Sequence, residues 1–198
     1  MKERIGFINP PGSAVTVELP DWVATFVDWQ KTYHSDDEKM ALAIELSKQN
    51  VERGTGGPFG TAIFDRVSGQ LLGVGVNRVV PLTNSTLHGE TVAIMMAEKA
   101  LGSFTLATDS GRELFTSCEP CAMCMGAVLW SGVNRMVCAG AAEDARAIGF
   151  DEGPVFEQSY QYLENAGMEV VRQFKRSDAK AVLDYYKNSG GRIYNGRD

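Results

Sequence analysis

Two short stretches, His88–Gly89–Glu90 and Pro120–Cys121–Ala122–Met123–Cys124, decide how this chain is read. Each opens a segment of helical character. From His88 the apolar Val92, Met95, Met96 and Leu101 recur near one face, and Gly102 supplies a helix stop. From Cys121 a second helix is predicted as far as Trp130. Strand-like runs precede both, at 71–76 and 114–116.

Outward from these stretches the alternation continues. Residues 59–64 pair with 71–76 as a hairpin turning at Ser68–Gly69, and further strands are predicted at 134–139 and 168–172. A helix starts at Asp36, capped by Asp36 or Asp37, with Met40, Ile44 and Val51 near one face before Gly54. Another covers 177–187. The first 35 residues, with Pro10–Pro11–Gly12 and Pro20, are expected to be an irregular covering segment. Helices alternating with strands after a hairpin predict one three-layer α/β/α domain over residues 1–198, with a central mixed sheet of about five strands.

Composition narrows the function. With 44% hydrophobic and 22% charged residues the chain has the make-up of a soluble globular protein. No apolar run approaches the roughly 18 residues of a membrane span, and the N-terminus does not read as a secretory signal. A cytoplasmic protein without membrane partners is expected. The net charge of −6, from 19 basic and 25 acidic residues, argues against a nucleic-acid partner, since phosphate binding needs a basic stripe.

Three of the four cysteines, Cys118, Cys121 and Cys124, crowd together, which suits metal or redox chemistry better than a disulfide framework. Cys138, in an apolar run, reads as a small buried hydrophobe. Zinc favours nitrogen and sulfur ligands, and a catalytic zinc keeps one of four positions for water. Cys121 and Cys124 at a helix start can face one ion, and the positive helix end favours their thiolates. His88 completes a three-ligand set, and Glu90, two residues on, can lean over the metal as a proton carrier. A purely structural zinc site needs a fourth protein ligand, for which only His34 and Cys118 remain.

The His-x-Glu … Pro-Cys-x-x-Cys pattern resembles the zinc nucleobase deaminases of the cytidine deaminase-like superfamily. The resemblance runs from about Gly56 to Asp151 and is nearest the guanine deaminase group. It is carried also by Gly57–Pro58–Phe59–Gly60, Asn77, Thr116–Ser117–Cys118–Glu119 and Ile148–Gly149–Phe150–Asp151–Glu152–Gly153–Pro154. One departure stands out: the family usually has Ala between the His and the Glu, where this chain has Gly89, a change that could loosen the pocket wall.

The resemblance implies a cytidine deaminase-like sandwich, one zinc per chain, a homodimer, and hydrolytic deamination of guanine, with the triazine ammeline as a further substrate. By the same resemblance, Glu90 and Glu152 are catalytic. Asn77 hydrogen-bonds the ring, Phe59 stacks near it, and Asp151 helps bind its edge. The Ser117 carbonyl accepts from the departing amine, and Tyr194 belongs to a C-terminal lid over residues 190–198. Three other readings remain open on sequence: a tRNA adenosine deaminase, a cytidine or deoxycytidylate deaminase, and a zinc-stabilised interaction module without catalysis.

Overall fold

A computed structural model gives the fold and describes residues 14–196, so Pro10–Pro11–Gly12 and the last two residues lie outside the described residues. A short helix, α1 (Trp22–Phe26), leads to α2 (Asp36–Glu52) and the hairpin β1 (Gly60–Asp65) and β2 (Leu71–Val76). Then come α3 (Gly89–Leu101), β3 (Arg112–Cys118), α4 (Ala122–Ser131) and β4 (Arg135–Gly140). The chain closes with α5 (Ala142–Ile148), α6 (Glu157–Asn165), β5 (Glu169–Val171) and α7 (Arg176–Asn188).

The five strands form one mixed sheet in the order β2-β1-β3-β4-β5. Strand β1 runs antiparallel to β2 and β3, whereas β3, β4 and β5 are parallel. Alternation along the strands sorts the core into two faces. Ala62, Phe64, Val74, Phe115 and Val137 pack against Met40 and Leu46 of α2 and Val182 of α7. On the opposite face Ile63, Leu114, Met136 and Cys138 meet Ala93 and Ala97 of α3, Val128 of α4 and Leu163 of α6. The result is the expected three-layer arrangement, with Cys138 fully buried.

Local chemistry explains how the helices lie. In α2 the capping hydroxyl belongs to Ser35, which accepts the Glu38 N–H at 3.3 Å, rather than to Asp36 or Asp37. These two aspartates instead occupy the first turn, where their charge suits the helix dipole. Helix α3 lies directly on the β2 backbone. A Cβ at Gly75 would come within 2.1 Å of the Gly89 carbonyl oxygen and 2.3 Å of the Ala93 nitrogen.

Three elements depart from the sequence reading. The segment before residue 35 is more than an irregular cover: it contains α1, and Val23, Val27 and Tyr33 are buried in the main core. Helices α5 and α6 were not expected. Helix α5 is only seven residues long, and α6 buries just Tyr160 and Leu163, so neither leaves a long apolar period.

A buried ion network ties the layers together. Glu113, 2% exposed, pairs with Lys39 of α2 and with Arg135 of β4 at 2.9 Å. Arg135 also grips both Asp36 oxygens, at 2.9 and 2.7 Å, and Glu169 at 2.9 Å. Hydrogen bonding from Arg135 is the chief cause that holds both the Asp36 and Glu169 carboxyls below their ordinary values. Such groups stabilise the fold above their unfolded pKa, and that contribution is lost as pH falls through the lower folded value. Arg135→Gln is therefore expected to lose about 3 kcal/mol at pH 7 and to show a smaller further loss in acid than the parent. Urea unfolding between pH 7 and pH 2 checks both; parallel acid limbs in the two proteins would rule out the Arg135 origin.

Candidate active site

The site lies where strand β3 ends and helices α3 and α4 begin. His88 is the N-cap of α3 and Cys121 the N-cap of α4, both in extended conformation, and neither side chain caps its own helix. Their donor atoms are thus free to converge. The His88 Nδ1 and Cys121 Sγ atoms are 3.5 Å apart, and one donor atom each from His88, Cys121 and Cys124 all lie within 4.8 Å of one another. One imidazole nitrogen with two sulfurs is a donor set that fits zinc, and three protein ligands leave the fourth position to water.

Neither candidate fourth ligand joins them. The Cys118 thiol donates to the Ala141 carbonyl at 3.6 Å, and His34 precedes α2, its N–H on the Glu38 carboxylate. Among the described residues, His88, Cys121 and Cys124 form the metal-ligating group. The Cys121 thiol is pulled down to about 4, first by a hydrogen bond from Cys124 and then by His88. Burial pulls the His88 imidazole down, but the Cys121 sulfur, with Glu90 and Glu152, outweighs it and raises the net value.

Two buried carboxylates stand beside this cluster. Glu90, in the first turn of α3, is 6% exposed and accepts the Thr116 hydroxyl at 3.3 Å. Burial is the main cause that raises its carboxyl above the ordinary value. Glu152 is equally buried, and burial, then Cys121 and Glu90, push its carboxyl up to about 8. Its backbone carbonyl accepts the Ala122 N–H at 3.0 Å, which fastens the loop after α5 to the first turn of α4. That bond satisfies one of the free N–H groups of a helix start and holds Glu152 at the cavity that His88 and Cys121 also line.

A cavity of about 350 Å³ opens onto these groups, lined by His88, Cys121, Glu90 and Glu152 and also by Phe59, Asp151 and Tyr194. Phe150 stands at the centre of its aromatic wall, edge to face with both Phe59 and Tyr194 at 5.1 Å. Asp151 is exposed, and one of its oxygens accepts the Gly153 N–H at 2.9 Å, so it also shapes its own turn. Asn77 and Ser117 sit behind the lining. The Ser117 hydroxyl accepts the Gly60 N–H at 3.0 Å, bracing β3 against β1. The Asn77 Oδ1 atom accepts the Val79 N–H at 3.3 Å, while its Nδ2 is buried without a partner among the described residues. The Tyr194 hydroxyl is a second buried group of this kind. Both side chains border Gly57: a Cβ there would lie 2.3 Å from the tyrosine oxygen and 3.3 Å from Asn77 Oδ1.

Two positions that shape the site were not singled out by the sequence reading. Asn195 accepts the Asp151 N–H at 2.8 Å and donates to the Gly149 carbonyl at 3.2 Å, so the C-terminal segment folds over the site of its own chain. Glu119, 2% exposed, accepts the Ala142 N–H at 3.0 Å and the Arg172 guanidinium at 2.7 Å, which fixes the turn leading to Cys121. The Pro-Cys-x-x-Cys motif placed Glu119 beside the cysteines, but nothing local signals its distant partner Arg172. Asn195 fell inside the expected C-terminal lid, but nothing local signals its partners Asp151 and Gly149.

The chain matches the family described as the cytidine and deoxycytidylate deaminase zinc-binding region over residues 33–140. It is 36% identical over 119 residues to a guanine deaminase of Bacillus subtilis (strain 168), covering 60% of this chain and 73% of that protein. A solved guanine deaminase from Nitrosomonas europaea is similar with a TM-score of 0.85 at 37% identity, covering 91% of this chain and 100% of the other. A solved structure in complex with 2,6-diaminopurine has the same TM-score at 40% identity, covering 93% and 98%. The donor cluster, the adjacent carboxylate and this match agree: the chain belongs to the zinc-binding cytidine and deoxycytidylate deaminase family and is a hydrolytic aminohydrolase.

Proposed function

We propose that this protein removes the exocyclic amine of a free purine-like base, converting guanine and water to xanthine and ammonia, with the triazine ammeline as a further substrate. The observation that carries this reading is Glu152. Its carboxylate is buried and lines the cavity, yet its side chain has no hydrogen-bond partner among the described residues. Guanine presents ring N1–H and its amine side by side, two donors that one carboxylate accepts. The likeness to proteins named guanine deaminase, and to a structure holding the diamino purine, supports the same ring class.

His88, Cys121 and Cys124 would hold the zinc, which when bound supplies an acidified water of pKa near 7. Glu90 accepts the proton that the attacking water releases and returns one to the amine as the C–N bond breaks. Asn77 offers Nδ2 to a ring carbonyl or nitrogen, and the aromatic wall of Phe59, Phe150 and Tyr194 encloses the ring and limits bulk water.

The net charge of −6 sets this reading against tRNA as substrate. Four unpaired thiols suit a reducing cytoplasm, and no helix among the described residues is long and apolar enough to cross a membrane. Met123 and Trp130, exposed on α4, offer an apolar face for a homodimer.

Three variants test these roles. Cys124→Ala is expected to lose stoichiometric zinc, read by elemental analysis; full retention would remove Cys124 from the ligand set. Glu90→Gln should keep one zinc per chain while kcat falls at least ~100-fold, and near-normal turnover would refute the proton-carrying role. Glu152→Gln should lower kcat/KM for guanine roughly 10- to 100-fold, the worth of a charged hydrogen bond. Ammonia release from guanine, ammeline, adenine, cytosine and their nucleosides decides the ring. Preference for a pyrimidine or a nucleoside would overturn the guanine assignment.

A further inference from the structure

Thr61 and Thr116 are direct cross-strand partners in the antiparallel β1–β3 pair, and both are buried, at 0% and 1% exposure. Their face of the sheet looks onto the first turn of α3. The Thr61 hydroxyl donates to Thr116 Oγ1 at 3.2 Å, and the Thr116 hydroxyl donates to Glu90 Oε1 at 3.3 Å. Each hydroxyl carries one proton, so the chain has one direction, with the carboxylate as its terminal acceptor. Both bonds are long for O–H···O contacts, as bonds around a catalytic group often are before substrate binds.

Gly89 explains how Thr61 fits. A Cβ built at Gly89 would lie 3.2 Å from Thr61 Oγ1, closer than ordinary van der Waals contact, and 3.4 Å from the Phe59 carbonyl oxygen. The space an alanine methyl would need at position 89 thus faces the Thr61 hydroxyl.

We propose that Thr116, backed by Thr61, is a positioning residue that fixes the Glu90 carboxylate beside the metal cluster, and that Gly89 is the clearance that admits the Thr61 hydroxyl. The proposal rests on Glu90 as the proton carrier. It assigns catalytic consequence to two threonines that touch neither ring nor metal.

Zinc-loaded Thr116→Val, Thr116→Ser, Thr61→Val and Gly89→Ala, with Thr61→Ala and the Gly89→Ala/Thr61→Ala pair, form the test. Thr116→Val should lower kcat about 10-fold or more, the usual cost of losing a partner that orients a metal-site group, with KM, zinc content and Tm little changed. Thr116→Ser should restore most of that loss, and Thr61→Val should show a smaller one. Gly89→Ala should lower kcat in the parent but cost nothing further once Thr61 is alanine, a coupling that a double-mutant cycle reads directly.

The second arm is structural and independent of substrate. A crystal structure of Thr116→Val should show the Glu90 carboxylate displaced or split between rotamers. A single, parent-like Glu90 carboxylate there, or a Thr116→Ser as slow as Thr116→Val, overturns the proposal. Should Thr116→Val fail to fold, the Gly89–Thr61 coupling decides instead, and additive losses overturn the proposal. A parent protein that releases ammonia from no base would refute the deaminase reading, while the Glu90 coordinates would still decide the positioning role.

Discussion

Three donor atoms on two different helices have to meet within 4.8 Å, and much of this molecule can be understood as the means of holding those two helix starts together. Helix α3 reaches its place because β2 presents bare backbone at Gly75, so the first turn of α3 rests on the strand itself. Helix α4 reaches its place through the turn after β3. There Glu119 is tied to Ala142 and Arg172, and the Glu152 carbonyl takes up the Ala122 N–H. Strands β2 and β3 point the same way, because each runs antiparallel to β1, so the helices that follow them begin at the same edge of the sheet. The positive ends of α3 and α4 therefore face one small volume, which favours thiolate at Cys121.

The same convergence gathers negative charge. Glu90, Glu152 and the Cys121 sulfur occupy one poorly solvated corner, where the sulfur raises the proton affinity of both carboxyls and Glu90 raises that of Glu152. Burial is the first cause of the rise at both carboxyls, with Cys121 next. A divalent cation on the cysteine–histidine cluster offsets exactly this kind of crowding, which is why donor set and neighbouring acids form one electrostatic unit. The acidic net charge of the whole chain plays no part here; the local arrangement decides.

Motif chemistry was legible in the sequence, and long-range placement was not. His88, Glu90, Cys121 and Cys124 could be read together because each role depends on residue type at short spacing, and helix starts follow from local caps and periods. The hairpin about Ser68–Gly69 was legible for the same reason, with Gly69 at φ +70°. Helices α5 and α6 escaped because α5 is short and α6 has few buried positions. Asn195 and Arg172 act on partners 44 and 53 residues away, and such pairings leave no periodic trace. Thr116 lay inside the quoted motif, but its work needs Thr61 opposite it, a fact of strand register. Gly89, read as a loosened wall, acquires meaning only when that register places the Thr61 hydroxyl beside it.

Unmet buried polar groups stand beside the cavity. Elsewhere buried charges are paired, as Glu113 is with Lys39 and Arg135. Near the cavity, Asn77 Nδ2 and the Tyr194 hydroxyl are buried without partners among the described residues, as are a few atoms elsewhere such as Ser47 Oγ and the Tyr160 hydroxyl, and each such group costs about 1–3 kcal/mol when left unmet. Glu152 adds a carboxylate with no protein donor. A core arranged for stability alone would replace the three beside the cavity with apolar residues. In the proposed function a flat ring bearing both donors and acceptors fills the space and meets these groups, so part of the binding energy is stored in the unliganded site as unmet hydrogen bonding. On that proposal a ring lacking one matching group leaves its partner unmet and forfeits that gain, so the same groups that weaken the fold would sharpen the choice of substrate.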